Sequence, residues 1–166
     1  MIIHAMKRQD TAAFIERFYR GSEQRVARLL FPEGDRPAEN DVSDRLGEWL
    51  SRRSVAILIA EAEGAVEGFL ALIGNEWDAT GHRARVAIFV REAARQKGIG
   101  GRLLRQAEQY ARKKNMIRLE LTVPANDRAG LLLAASAGFH IEGMRRDALH
   151  AHGHVIDEFY LAKILS

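Results

Sequence analysis

The stretch Val90-Arg91-Glu92-Ala93-Ala94-Arg95-Gln96-Lys97-Gly98-Ile99-Gly100-Gly101 decides how this chain is read. Before it lies an apolar run, Val86 to Val90, with strand character; after it the pattern is helical. A strand that breaks into a basic, glycine-rich turn and then a helix is an arrangement that holds polyanions. The helix N-terminus offers backbone N–H groups without intrahelical partners and a partial positive charge. Glycines let the backbone approach a phosphate closely, and consecutive N–H groups can form an anion nest. Arg95 and Lys97 add full charges beside it. Two familiar phosphate loops do not fit. The Walker string Gly-x-x-x-x-Gly-Lys-Ser/Thr is absent. The dinucleotide fingerprint needs a third glycine where Leu103 stands, and an early βαβ position rather than a mid-chain one.

Around this stretch the chain has ordinary globular composition, and its 166 residues suffice for one domain with a sizeable core, taken as 1–166. Lys and Arg number 25 against 22 Asp and Glu, a formal charge of +3. That balance is mild. Basic residues cluster from Arg91 to Arg118, but aromatics are not interleaved with them, so no nucleic-acid partner is expected. The absence of cysteine excludes disulfides, thiolate metal sites and a thiol nucleophile. Met1 to Met6 leads into charged residues rather than an apolar core, and no apolar run reaches membrane-spanning length. A cytoplasmic protein with no membrane partner is the expectation.

Ile2 to Lys7 reads as a strand. A helix follows, capped at Asp10 or Thr11, with Phe14, Ile15 and Phe18 on one buried face. Ser22 to Leu30 continues helically, and the prolines and glycine of Phe31 to Pro37 mark a loop. Asp41 or Ser43 starts the next helix, with Leu46, Trp49 and Leu50 apolar. Val55–Ala60, Val66–Ile73 and Arg83–Val90 form an antiparallel meander, turning at Glu61 to Gly64 and through Gly74 to Gly81. Ile99, Leu103, Leu104 and Ala107 carry a helix that ends near Asn115. Ile117–Val123 is a strand stopped by Pro124. Asp127 caps a helix over Ala129–Ala137, closed by Gly138 at C′. Phe139–Leu149 and Val155–Leu165 make a hairpin around Gly153. The order is β-α-α-β-β-β-α-β-α-β-β, a single-domain α/β fold with a mixed (α+β) sheet.

The string Arg95-Gln96-Lys97-Gly98-Ile99-Gly100 resembles the pyrophosphate loop of the Gcn5-related N-acetyltransferases (GNAT), Arg/Gln-x-x-Gly-x-Gly/Ala. Val90, five residues before Arg95, fits the family's strand ending. The family's second motif, Asn-x-x-Ala-x-x-Leu-Tyr-x-x-x-Gly-Phe, has a counterpart ending on Gly138-Phe139 with Leu133 on the leucine. Ile141-Glu142-Gly143 and Gly153 to Glu158 are similar to many bacterial members. The resemblance covers Val55 to the C-terminus well and the N-terminal helices loosely. It implies an acetyl-coenzyme A-dependent N-acetyltransferase, moving an acetyl group to a primary amine of a small molecule or peptide within a ternary complex. It implies that backbone groups of Ile88, Phe89 and Val90 bind the pantetheine arm. Arg95, Gln96, Lys97, Gly98, Ile99, Gly100 and Gly101 then form the pyrophosphate loop, and Asp127, or Asn126 if the helix starts earlier, touches the arm near its sulfur. No metal is implied, and a homodimer is common in the family.

The chain departs from the family pattern at the tyrosine. A gapless match puts Asp127 on the asparagine and Ala134 on the tyrosine; a one-residue bulge restores Asn126 but puts Leu133 there. In many members that hydroxyl is thought to protonate the leaving thiolate, so the general acid is unassigned. The base is equally open, because Arg83 to Val90 holds no acid and Glu120 reads as part of a solvated strand face. A catalytically weak coenzyme-binding module is the alternative. Elsewhere, His150, His152 and His154 read as an exposed hairpin turn rather than a metal site, with a place at the substrate entrance as the alternative; Asp157-Glu158 beside Tyr160 reads as an alternating strand, with an acidic site for a cationic substrate as the alternative. Trp49 and Trp77 are expected to pack, with contact to substrate as the alternative for Trp77, which lies in a connection. Ser51, Ser54 and Ser136 suggest no hydrolase triad.

Overall fold

The computed structural model describes residues 1–20, 26, 39–151 and 153–166. Its strands are β1 (Ile2–Ala5), β2 (Val55–Ala62), β3 (Ala65–Gly74), β4 (Arg83–Val90), β5 (Arg118–Pro124), β6 (His140–Ala151) and β7 (His154–Ile164). Its helices, among the described residues, are α1 (Thr11–Phe14), α2 (Glu39–Ser51), α3 (Ile99–Lys113) and α4 (Arg128–Ser136). One sheet runs in the order β1-β2-β3-β4-β5-β7-β6. All neighbours are antiparallel except β4 and β5. The expected order of elements is therefore met. The expected helical continuation from Ser22 and the loop from Phe31 lie outside the described residues, apart from the buried, helical Val26.

Alternation along the strands divides the sheet into two faces. Leu58, Leu70, Leu72, Val86, Leu119 and Leu121 point to the side covered by α3 and α4, where Leu103, Leu104 and Ala107 of α3 meet them. Val55, Ile57, Ile59, Phe69, Ala71 and Ala87 point to the other side, against Phe14, Phe18, Val42, Leu46 and Trp49 of the N-terminal helices. Truncating a fully buried leucine such as Leu103 to alanine would cost ~2–5 kcal/mol.

Several sequence expectations need correction in detail. The first helix begins as a 3-10 turn, Arg8–Asp10, and after α1 it widens into a π turn over Ile15–Tyr19, closed by Arg20 N–H to Ile15 O at 3.1 Å. Asp10 does not cap forward; its carboxylate accepts from the Lys7 N–H at 2.7 Å. The second helix starts at Glu39, ahead of Asp41. Glu61 and Ala62 extend β2, so the turn shrinks to Glu63 and Gly64, both at positive φ (53° and 77°), as a two-residue hairpin requires. Trp77 does not pack: it is 77% exposed in the β3–β4 connection, whereas Trp49 is buried.

Candidate active site

The sheet opens at its centre. β4 and β5 pair in parallel only at Arg83↔Arg118, Ala84↔Leu119 and Arg85↔Glu120, and beyond these the strands part. Val86 to Val90 thus keep their partners on β3 but present an unpaired edge toward β5. Ile88, Phe89 and Val90, the residues expected to bind the pantetheine arm, lie on this edge. Their side chains do not enter the gap's chemistry: Ile88 and Val90 pack into the α3/α4 core, Phe89 into the opposite one. Phe89 there joins an aromatic group, with Phe18 at 5.5 Å and Phe69 at 6.4 Å between ring centroids. The strand end is pinned from β3. Arg91 N–H donates to Glu67 O at 2.9 Å, and Gly68, opposite Val90, leaves room where a Cβ would come 2.8 Å from the Phe89 carbonyl oxygen.

Past Val90 the chain makes a 3-10 turn, Glu92–Ala94, anchored by buried Ala94, and then the glycine-rich loop. Arg95 turns back, its Nε donating to Val90 O at 3.2 Å, and so ties the loop to the strand end. Gln96 adopts φ 61° and Gly98 φ 75°. Gly98 is the N-cap of α3 and gives it no side-chain hydrogen bond; the first helical bond is Arg102 N–H to Gly98 O at 3.1 Å. The N–H groups of Ile99, Gly100 and Gly101 therefore precede the helical ladder, with no side chain capping them. Nothing lies within 4 Å of where a Cβ on Gly98 would stand, and at Gly101 only the Arg105 guanidinium comes near, at 3.5 Å. This open, donor-lined cradle fits a pyrophosphate.

The loop residues are not equivalent. Ile99 buries its side chain in the core and offers only its backbone. Gly100 faces inward: a Cβ there would lie 2.7 Å from Leu133 Cδ2 of α4, so its missing side chain serves the contact between the two helices. Lys97 and Gly98 are exposed, and half-buried Gly101 completes the outer side of the cradle with them.

The other flank is the start of α4. Asp127 caps it, Oδ1 accepting from the Gly130 N–H at 3.0 Å, and Gly130 has no side chain because Asp127 Oδ2 lies 2.7 Å from where its Cβ would be. The Asp127 carboxylate is thus engaged by its own helix, whereas Asn126 is exposed. Asn126 lines an open cleft of about 720 Å³ with Ala125, Asp147, His154 and Asp157. The β6–β7 hairpin is irregular there: between Arg145↔Glu158 and Leu149↔Ile156 three residues of β6 face one of β7. Asp147, at φ 49°, donates its N–H to Asp157 Oδ1 at 2.9 Å across this bulge.

Ala134, aligned with the family tyrosine, is 2% exposed in the core, and Leu133 lies against Gly100, so neither position supplies a hydroxyl. Glu120 is not a solvated strand residue. It is largely buried and bridged by Arg118 at 2.6 Å and Arg83 at 3.5 Å. Glu158 is also buried, at 6% exposure, and pairs with Arg145, whose guanidinium lies 5.4 Å from the Tyr160 ring centroid. Hydrogen bonds to Glu142 and Glu120 raise the Arg118 pKa above its already high range, and the same bond holds Glu142 below the usual carboxylate range. These pairs tie strands together away from the loop. Among the described residues no group of His, Asp and Glu could hold a metal ion, and His152 lies outside them. The Ser51, Ser54 and Ser136 hydroxyls donate to Glu48 O, Glu76 and Leu133 O, with no histidine at any of them. Sequence reasoning missed the division of labour among the loop glycines and the position of Arg105; the i, i+4 spacing of Gly101 and Arg105 was the available signal.

The family described as "Acetyltransferase (GNAT) family" matches residues 23–139. The chain is similar to the L-amino acid N-acetyltransferase AaaT of Escherichia coli (strain K12), 25% identical over 129 residues that cover 77% of this chain and 78% of that one. The fold is shared with a GNAT-family acetyltransferase from Streptococcus pneumoniae, with a TM-score of 0.84, 22% identity and 99% of both chains covered. It is shared also with a phosphinothricin acetyltransferase from Sinorhizobium meliloti solved with acetyl-coenzyme A, at a TM-score of 0.83 and 19% identity, covering 99% of this chain and 88% of that one. Seam, cradle and family match agree: the chain belongs to the GNAT family and is an acetyl-coenzyme A-dependent N-acetyltransferase.

Proposed function

We propose that the protein acetylates a primary amine of a small molecule or peptide by direct transfer within a ternary complex. The observation that carries this is the open edge of β4 ending beside an uncapped, glycine-lined helix start. Acetyl-coenzyme A supplies a thioester whose thiolate is a fair leaving group. The chain's own residues supply position. Backbone groups of Ile88 to Val90 take the arm as an added strand would be taken, and N–H groups on the splayed edge donate to the thioester oxygen. The N–H groups of Ile99 to Gly101, with Lys97 and the remaining guanidinium nitrogens of Arg95, take the pyrophosphate. Asn126 rather than Asp127 reaches the arm near its sulfur, because Asp127 is held by Gly130. Holding both reactants in place supplies up to roughly 7–11 kcal/mol of a barrier. An added acid or base is worth about 10²–10⁴-fold. A chain with Ala134 at the tyrosine position therefore works through positioning, with solvent moving protons. The carboxylates of Asp147 and Asp157 at the cleft favour an acceptor that arrives as a cation. We place the protein in the cytoplasm, as a possible homodimer, acting without nucleic acid, membrane or metal.

Calorimetric titration with acetyl-coenzyme A and with ATP at matched ionic strength tests this, followed by thiol release across an amine panel. One-site binding of acetyl-coenzyme A but not ATP, with thiol release for a subset of amines, is the expected result. Absence of binding would overturn the site, and binding without any acyl transfer would favour the coenzyme-binding module.

A further inference from the structure

We propose that Arg105, with Arg102 beside it, recognises the ribose 3′-phosphate of the coenzyme and makes the protein selective for coenzyme A over its dephosphorylated form. The inference rests on the coenzyme reading above and extends it to a second anion.

Helix α3 buries Ile99, Leu103, Leu104, Ala107 and Ala111, and a period of 3.6 residues then sets Gly98, Gly101, Arg102 and Arg105 on its solvent side. The Arg105 guanidinium folds back along this stripe toward the helix start: its Nη1 lies 3.5 Å from where a Gly101 Cβ would be. A side chain at 101 would crowd that position, so Gly101 gives the arginine its path as well as opening the cradle. Arg102 and Arg105 are exposed and, among the described residues, make no ion pair or hydrogen bond. At the other end of the same helix, and at its C-cap, two of the three cations are engaged, Lys113 being the exception among the described residues. Arg112 pairs with Glu108 at 2.8 Å, and the Lys114 ammonium lies 5.8 Å from the Tyr110 ring centroid.

The placement is electrostatically inverted for a free helix, because cations favour the C-terminal end and are disfavoured near the N-terminal one. No carboxylate belongs to the first turn of α3 to offset them. An anionic ligand would. Coenzyme A carries two anionic groups in sequence, the pyrophosphate and the 3′-phosphate on the adenosine ribose. With the pyrophosphate in the cradle and the pantetheine arm running into the gap beside β4, the nucleotide end must leave outward, over the exposed stripe of α3. A guanidinium forks two N–H donors onto a phosphate and is the side chain suited to that contact.

The test compares coenzyme A with dephospho-coenzyme A by calorimetry at low salt, on the parent protein, Arg105→Gln, Arg102→Gln and Lys113→Gln. Glutamine is a good helix former, so the exposed substitutions spare the fold. The parent should bind coenzyme A about tenfold or more tightly than the dephospho form, as a charge-assisted contact predicts. Arg105→Gln should bring that ratio close to one while leaving dephospho-coenzyme A binding within about twofold, with Arg102→Gln intermediate and Lys113→Gln, at the far end of the helix, like the parent. Equal binding of the two coenzymes by the parent, or an undiminished ratio in Arg105→Gln and Arg102→Gln, would overturn the assignment while the coenzyme site stands. An equal drop in Lys113→Gln would replace it with a diffuse field effect. Failure to bind either coenzyme would instead bring down the coenzyme reading itself.

Discussion

Two helices begin beside the opening in the sheet, and they begin differently. Helix α4 is closed by its own chain: Asp127 accepts from Gly130 and leaves little for a ligand's charge to do. Helix α3 starts on Gly98, without a capping side chain and with cations about it. A side-chain cap of the Ser, Asp or Asn kind needs an extended backbone, and Gly98 stands instead at φ 75°, where glycine alone is unstrained. The difference separates a helix start left open, where the proposed anion would sit, from one closed by its own chain.

The comparison breaks if closing α3 leaves binding intact. Gly101→Asp would place a carboxylate in the first turn, where it complements the helix dipole. Acetyl-coenzyme A affinity should fall by at least ~100-fold while the melting temperature holds or rises. Unchanged affinity by calorimetry would mean that the cradle is not the anion site. Asp127→Ala is the mirror experiment. It opens α4 and should cost about 1 kcal/mol, a loss of ~2–4 °C in thermal melts, with little change in pyrophosphate-dependent binding. Within the loop, Gln96 stands at φ 61°, where a side chain is strained. Gln96→Gly should stabilise by about 0.5 kcal/mol, the net of relieved strain and added unfolded-state entropy, read from denaturant midpoints. An effect of the same small size, present only over part of the pH range, lies at the far end of α3. Burial pushes the Glu108 carboxyl up, but hydrogen bonds from Lys163 and Arg112 outweigh it and hold it below the usual carboxylate range. Its contribution is therefore present above that ordinary range and is lost as pH falls through the lowered native value. Glu108→Gln should cost about 0.5 kcal/mol at neutral pH and nothing in strong acid, when stability is followed against pH.

The strands were legible in the sequence because Val55–Ala60, Val66–Ile73 and Arg83–Val90 combine β-branched runs with turn residues, and their pairing follows from the short connections. The loop was legible for the same local reason. What one dimension hid was contact at a distance. Gly98, Gly100 and Gly101 look alike in a string, yet only Gly100 meets Leu133, which depends on how α3 crosses α4. Glu120 alternates like a surface residue, and its burial comes from Arg83 on the neighbouring strand and Arg118 two residues back. Trp77 carries an apolar ring whose fate was set by a connection with no core beside it. The π turn at Ile15–Tyr19 leaves no sequence signature, because it is one extra residue accommodated in a helix already committed to burying Phe14 and Phe18.

The parting of β4 from β5 also has a mechanical meaning. Three residue pairs are all that join β1-β2-β3-β4 to β5-β7-β6 within the sheet. The molecule is two half-sheets along a short seam, and the seam is where opening sacrifices the fewest hydrogen bonds. A ligand held as proposed, along the β4 edge and against the start of α4, would fasten one half to the other across the line where the sheet itself joins them least.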